Sequence, residues 1–327
     1  MTYSEVFTAV VSALCVFLSV PTSATAQTYS TFVAPNGLYT QPNAINAIGQ
    51  IVGFYWDSKS ISHGFVREAT GTVATFDPKG SMGTNPVAID ASGTIVGDYV
   101  ASDSPGHGFL RRSNGKIISF DPPKSLYTLV AGTDGNIVGS YEPGKGVVGY
   151  LRTKKGIYLT FKYAGRATEP HGTNKAGAVV GIYRSKDGTT THGFLRHSDG
   201  TFEEIRSHGT TWPVAINESG TIVGGDAHES VFVQTADGSI TTLSVPGADT
   251  TIVAGINSKG TVVGSAHFES TGDHGFMWSA ERGLVSIDVP GATYTIPSGI
   301  NDDDVVIGTC DFIDGEKESS AAFVRTP

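Results

Sequence analysis

The amino-acid sequence predicts an all-β fold of seven repeated, four-stranded units, and three observations predict it. A β-branched pair followed by glycine recurs at Ile51-Val52-Gly53, Ile95-Val96-Gly97, Ile137-Val138-Gly139, Val179-Val180-Gly181, Ile222-Val223-Gly224, Val262-Val263-Gly264 and Val306-Ile307-Gly308. The spacings are 44, 42, 42, 43, 40 and 44 residues, the length of a four-stranded propeller blade. Among 327 residues there are 42 glycines and 15 prolines, the punctuation of many tight turns. Together they predict a seven-bladed β-propeller.

Each repeat divides into four strand signals. Strand A is a small-residue segment such as Val87-Ala88-Ile89-Asp90 or Val214-Ala215-Ile216-Asn217, followed by a glycine turn. Strand B carries the recurrent glycine, which permits close approach of another backbone or of a ring. Strand C centres on Phe65, Phe109, Tyr150, Phe194, Phe232, Phe276 and Phe323. Strand D reads Thr75-Phe76-Asp77, Ser119-Phe120-Asp121, Leu159-Thr160-Phe161, Glu204-Ile205-Arg206, Thr242-Leu243-Ser244 and Ser286-Ile287-Asp288. The seventh D strand is missing after Phe323, and a matching segment, residues 29–35, stands at the other end of the chain. The ring is therefore expected to close by pairing of this N-terminal strand in blade seven, which removes exposed edges. An open solenoid would need polar capping repeats, and none is visible.

Residues 1–26 read as a signal peptide. The apolar run Val6 to Val20 precedes Pro21 and the Ala24-Thr25-Ala26 cleavage pattern, although the n-region holds Glu5 and no Lys or Arg. Fifteen apolar residues are few for a membrane span. Residues 27–327 are then a single secreted domain, periplasmic or extracellular. Cleavage removes Cys15 and leaves Cys310 alone, which rules out an intrachain disulfide in the mature chain. The net charge of −9, without a basic cluster, argues against nucleic acid as a partner. Nucleotide-cofactor motifs are absent. A monomer is expected.

The pattern N/D-x-x-G-x-(I/V)-V-G is carried by Asn217 to Gly224 and Asn257 to Gly264. It is accompanied by His63-Gly64-Phe65, His107-Gly108-Phe109, His192-Gly193-Phe194 and His274-Gly275-Phe276. Over essentially the whole mature chain this resembles the extracellular HAF-repeat family. Here glycine replaces the family's central alanine. Arg67, Arg111, Arg152 and Arg196 stand where tryptophan is common, and Trp278 keeps it. The resemblance implies export and a propeller-like fold, and it brings no catalytic residue.

The repeated histidines are expected to be satisfied within their own blades, because equivalent positions lie a blade apart. Histidines outside the repeat are the candidates for function. His171 and His208 fall in D–A segments, and His228 and His267 in B–C segments, all on one face within repeats four to six. Counting back from the end of strand A, one position reads Gln41, Asn85, Thr128, Glu169, Trp212, Ile252 and Ile296. Two residues later come Asn43, Val87, Val130, His171, Val214, Ala254 and Ser298. After the strand B glycine stand Tyr55, Tyr99, Tyr141 and Tyr183, then Asp226 and Ala266. The expected channel mouth is a partial ring of tyrosines facing a His/Glu/Asp/Trp cluster.

Three readings of that mouth compete. As a carbohydrate or small-ligand site, Trp212 and the tyrosines would stack on rings while Glu169, Asp226 and Arg184 bond hydroxyls. As a glycan-active hydrolase or lyase, His171 or Tyr183 would act as base and Glu169 or Asp226 as acid, with Arg184 neutralising a substrate carboxylate. As a divalent metal site, His171, His228 and His267 with a carboxylate would supply the ligands. A structural or protein-interaction propeller is the remaining alternative. The Asp302-Asp303-Asp304 run belongs to an A–B turn on the opposite face and is expected to be solvated.

Overall fold

A β-branched pair buried on both faces has to sit between two layers, and strand B of every repeat does so. In the computed structural model, which describes residues 27–206, 209–227, 230–315 and 317–327, Val52, Val96, Val138, Val180, Val223, Val263 and Ile307 are all fully buried. The described residues form seven four-stranded antiparallel sheets, the seven-bladed propeller that the repeat predicts. The proposed signal peptide lies outside them.

The innermost strands, A, run over Tyr39–Ile45, Gly83–Ile89, Tyr127–Thr133, Thr168–Thr173, Thr211–Ile216, Thr250–Ile256 and Tyr294–Ile300. Five of them hold a proline at the same place, Pro42, Pro86, Pro170, Pro213 and Pro297. An inner edge strand needs no ladder donor there, which is where proline is tolerated. Every A strand also bulges at the next residue, as between Pro42 and Ala44 and between Pro170 and Gly172.

The bulge accounts for the recurrent glycine. A Cβ at Gly53 would fall on the Gln41 carbonyl oxygen and only 2.8 Å from Pro42 Cα. The same collision recurs at Gly97, Gly139, Gly181, Gly224, Gly264 and Gly308 with Asn85, Leu129, Glu169, Trp212, Ile252 and Ile296. The strand C aromatic then lies over the glycine, with Phe232 Cε1 2.6 Å from where a Gly224 Cβ would stand.

Among the described residues there is no single core. Apolar burial is divided into clusters that each span two neighbouring blades, such as Val52, Val66, Ile89, Ile95, Tyr99 and Phe109 between blades one and two. Arg67, Arg111, Arg152 and Arg196 reach from strand C over Phe32, Phe76, Phe120 and Phe161 of the preceding blade, at 5.0, 4.9, 4.8 and 5.1 Å from the ring centroids. These arginines cover the seams between blades from strand C. The ring contact at Phe32 places the N-terminal strand in the same scheme. That strand, Thr28–Phe32, pairs with Lys317–Thr326 from Thr28 opposite Thr326 to Phe32 opposite Ala322.

On the A–B face, asparagine side chains clasp one blade to the next. The Nδ2 groups of Asn46, Asn174, Asn217, Asn257 and Asn301 donate to the carbonyls of Asp90, Asn217, Asn257, Asn301 and Asn46 at 3.1, 2.9, 3.0, 3.1 and 3.2 Å. Blades two and three carry Asp90 and Asp134 in this position, and a carboxylate cannot donate. The acidic run expected to be solvated is partly built into this clasp. Asp304 is 5 % exposed, accepts from Asn257 Nδ2 at 2.8 Å, and lies 3.8 and 3.6 Å from Lys259 and Arg282.

Candidate functional site

Because strand A borders the channel, its residues facing away from the sheet interior line the channel wall. Register fixes which they are. Gln41, Asn85, Leu129, Glu169, Trp212, Ile252 and Ile296 face Phe54, Asp98, Ser140, Ile182, Gly225, Ser265 and Thr309 on strand B. The bulge residues two positions on are Asn43, Val87, Ala131, His171, Val214, Ala254 and Ser298. Blade three corrects the sequence count, which places Thr128 and Val130 in these two rings. Its A–B turn is shorter, with the Asp134 amide closing on Asn136 rather than four residues on, so the count slips by one.

A cavity of about 390 Å³ opens on this wall, lined by Leu129, Ala131, Ser140, Glu169, His171 and Val214 among others. Two expected site residues, Glu169 and His171, line it. Glu169 lies 4.0 Å from Arg184 Nε. His171 Nδ1 is 2.7 Å from the Pro213 carbonyl of the next blade. A carbonyl only accepts, so Nδ1 carries the hydrogen and Nε2 is the basic nitrogen of the neutral ring. Around the cavity the mouth is apolar. Leu129, Trp212 and Ile252 are 43, 41 and 61 % exposed at equivalent positions of the A strands of blades three, five and six, with Glu169 of blade four between the first two. Trp212 thus stands one blade on from Glu169, in the same ring.

The other expected members lie elsewhere. Tyr55, Tyr99, Tyr141 and Tyr183 do not ring the mouth. They are buried in the inter-blade clusters, because the residue two positions after the strand B glycine points between blades. Tyr183 is also a poor base. Burial, together with its hydrogen bond to Glu204 at 3.0 Å and that carboxylate's charge, pushes its pKa far above the usual value. Asp226 occupies the tyrosine position in blade five. It is 4 % exposed, faces Thr211 across the ladder and accepts from Ser230 at 2.9 Å, apart from the cavity lining. His267 pairs with Asp273 at 3.0 Å in an outer hollow with Glu269 and Tyr294. His208 and His228 lie outside the described residues. Among the described residues no three His, Cys, Asp or Glu side chains gather as a metal site.

The repeated histidines behave as their position implies. His63, His107 and His274 meet Asp77, Asp121 and Asp288 at 2.7, 2.8 and 3.2 Å, and His192 meets Glu204 at 3.4 Å. Asp77 and Asp121 also accept from Thr84 and Thr128 at 2.5 and 2.6 Å, so the pair is tied to the next blade's strand A.

Sequence reasoning missed Asp98. It sits where other blades place Phe54, Ser140 or Ile182, accepts from the Val130 amide at 3.4 Å, and belongs to a polar chain in which Asn43 donates to Asn85 at 3.2 Å. Burial raises its pKa to about 6, against hydrogen bonds from Val130 and Asn85 that lower it. An acid directly after a strand B glycine was the available signal.

The opposite mouth is a funnel of about 430 Å³ formed by A–B turns from all seven blades. Its carboxylates are engaged by main-chain amides, Asp90 by Ser92 and Thr94 and Asp302 by Ser258. No helix of the described residues is long and apolar enough to cross a membrane.

No family model matches the chain, and no curated protein is similar to it in sequence. Solved structures are similar in fold. Virginiamycin B lyase from Staphylococcus aureus, a catalytically inactive variant with quinupristin, superposes with a TM-score of 0.62 at 10 % identity, covering 92 % of this chain and 99 % of that one. The β-propeller domain of the Trilobed protease from Pyrococcus furiosus, which has an open velcro topology, gives 0.63 at 10 %, over 90 and 94 % of the two chains. Puromycin hydrolase gives 0.58 at 11 %, over 87 % of this chain and 53 % of that one. At these identities the likeness is one of fold, and the chain is a β-propeller of the same general kind.

Proposed function

We propose that this chain is an exported propeller that binds a saccharide or similar small polar-faced ligand at the channel mouth of blades three to five. The observation that carries the reading is that Leu129, Glu169 and His171 line one wall cavity, with the exposed Trp212 at the next ring position in blade five. Sugar rings present apolar C–H faces and equatorial hydroxyls. Trp212 supplies a face to stack on, while Glu169 and His171 Nε2 supply acceptors for hydroxyls. Arg184 beside Glu169 suits an acidic sugar. The segment at residues 1–26, with its cleavage pattern, supports an extracellular setting.

A glycan array followed by calorimetry tests this. A binder is expected, weakened at least tenfold by Trp212→Ala and by Glu169→Gln. Binding untouched by both substitutions would remove the reading.

One observation favours a catalytic form of the same site. The Pro213 carbonyl fixes the His171 tautomer, leaving Nε2 ready to take a proton from bound substrate, as in β-elimination from a uronide. Unsaturated products from acidic polysaccharide, lost in His171→Ala, would support it. Binding without turnover would leave a lectin-like protein.

A further inference from the structure

In the blades that carry the repeated histidine, a tyrosine faces it across the strand B–C ladder, with one exception. Tyr55, Tyr99 and Tyr183 face His63, His107 and His192 in register and lie against them at 5.2, 5.2 and 5.1 Å between ring centroids. The hydroxyl of Tyr99 donates to Ser119 at 3.0 Å, and that of Tyr183 donates to Glu204 at 3.0 Å. Both acceptors are on strand D, opposite the strand C aromatic. In blade six the residue facing His274 is Ala266.

What remains in blade six is a cavity of about 300 Å³, lined by Ala266, Phe268, His274, Phe276, Ser286 and Leu284 among others. Ala266 is a buried part of its wall. Ser286 pairs with Phe276 as Ser119 does with Phe109, so it stands where the tyrosine hydroxyl would find its partner. Ser286 Oγ donates to Asp288 at 2.8 Å, which leaves its lone pairs to accept. Asp288 also holds His274 Nδ1 at 3.2 Å and so fixes that ring. Phe268 stands edge-on to His274 at 5.6 Å and, with Leu284, walls the space.

We propose that this pocket is a second ligand site, taking the ring of a small phenol in the place the missing tyrosine leaves. The ring lies along His274 and Phe268, and its hydroxyl donates to Ser286 Oγ. The site is separate from the channel mouth and stands whether or not that reading does.

The probe is p-cresol, the free tyrosine side chain, followed by protein-observed NMR on the intact mature chain. Shifts are expected at Ala266, His274 and Ser286, with toluene binding several-fold more weakly. Ser286→Ala should bring p-cresol down to the toluene level without moving the melting temperature. Ala266→Tyr should abolish binding and raise the melting temperature, while Glu169→Gln should leave p-cresol binding unchanged. No shifts around Ala266 in the wild-type protein, or equal binding of p-cresol and toluene, would overturn the proposal. Retained binding in a folded Ala266→Tyr variant would do the same.

Discussion

Replacing Asn217 tests whether the ring is held together by side-chain clasps on its A–B face. Asn217 is 5 % exposed and uses both ends of its amide. Nδ2 donates to the Asn257 carbonyl of the next blade at 3.0 Å, while Oδ1 accepts from the Ser219 and Thr221 amides at 3.1 and 2.9 Å. Asn217→Ala strands one buried carbonyl, at about 1–3 kcal/mol, and removes two turn bonds whose donors lie close enough to solvent to rehydrate in part. The expected total is about 3 kcal/mol, or a melting-temperature loss of roughly 6 °C at the shift per kcal/mol typical of large domains. Asn217→Asp separates the two roles. It keeps the acceptor for the turn and loses the donor, so its cost measures the clasp. Asp90→Asn is the converse change, supplying a donor that blade two lacks, and should stabilise by about 1 kcal/mol. Urea unfolding followed by circular dichroism reads all three. Changes within about 0.5 kcal/mol of wild type for both Asn217 variants, the ordinary range of inconsequential surface substitutions, would refute the reasoning.

Three further outcomes follow from the same geometry. The folded-state pKa of Asp98 is raised to about 6 from 3.8, so the carboxyl favours folding below the lower value and this contribution is lost as pH rises through the upper one. That bounds the effect at roughly 3 kcal/mol, and residual exposure brings it to about 2. Asp98→Asn should flatten stability between these limits and stabilise at neutral pH, as read by urea titrations at several pH values. Gly181→Ala sets a Cβ against the Glu169 carbonyl and 2.7 Å from Pro170 Cα, and should destabilise by about 3 kcal/mol while displacing Glu169 and weakening ligand binding. Tyr183→Phe loses the hydrogen bond to Glu204 and should cost about 1 kcal/mol in thermal unfolding with no change in ligand affinity, since the ring is buried between blades.

The architecture was legible because it is written seven times. A two-residue hydrophobic alternation is ambiguous in any one strand, but the glycine after each β-branched pair recurs for one geometric cause, the bulged strand pressing a carbonyl against it. The local pairing of the repeated histidines was legible for the same reason. The site was legible only in part. Glu169 and His171 share one cavity because they lie on one strand, and Arg184 approaches Glu169 from the neighbouring strand. The tyrosines failed because regular spacing gives a position in the ladder but not whether the side chain turns to the channel or to the next blade. Asp226 inherits that same inward position. Asp98 was missed although it directly follows a strand B glycine, because a single acid in one column of the repeat does not by itself show that the fold takes it out of water.

The most direct test of the proposed function is where a bound saccharide sits. With amides assigned, a glycan identified by array is titrated into the mature chain and its shift perturbations are mapped. The account predicts that they centre on Leu129, Glu169, His171 and Trp212, and that Glu169→Gln shifts the titration to at least tenfold higher ligand concentration. Perturbations centred instead on the A–B funnel around Asp90 and Asn217, or indifferent to Glu169→Gln, would contradict it.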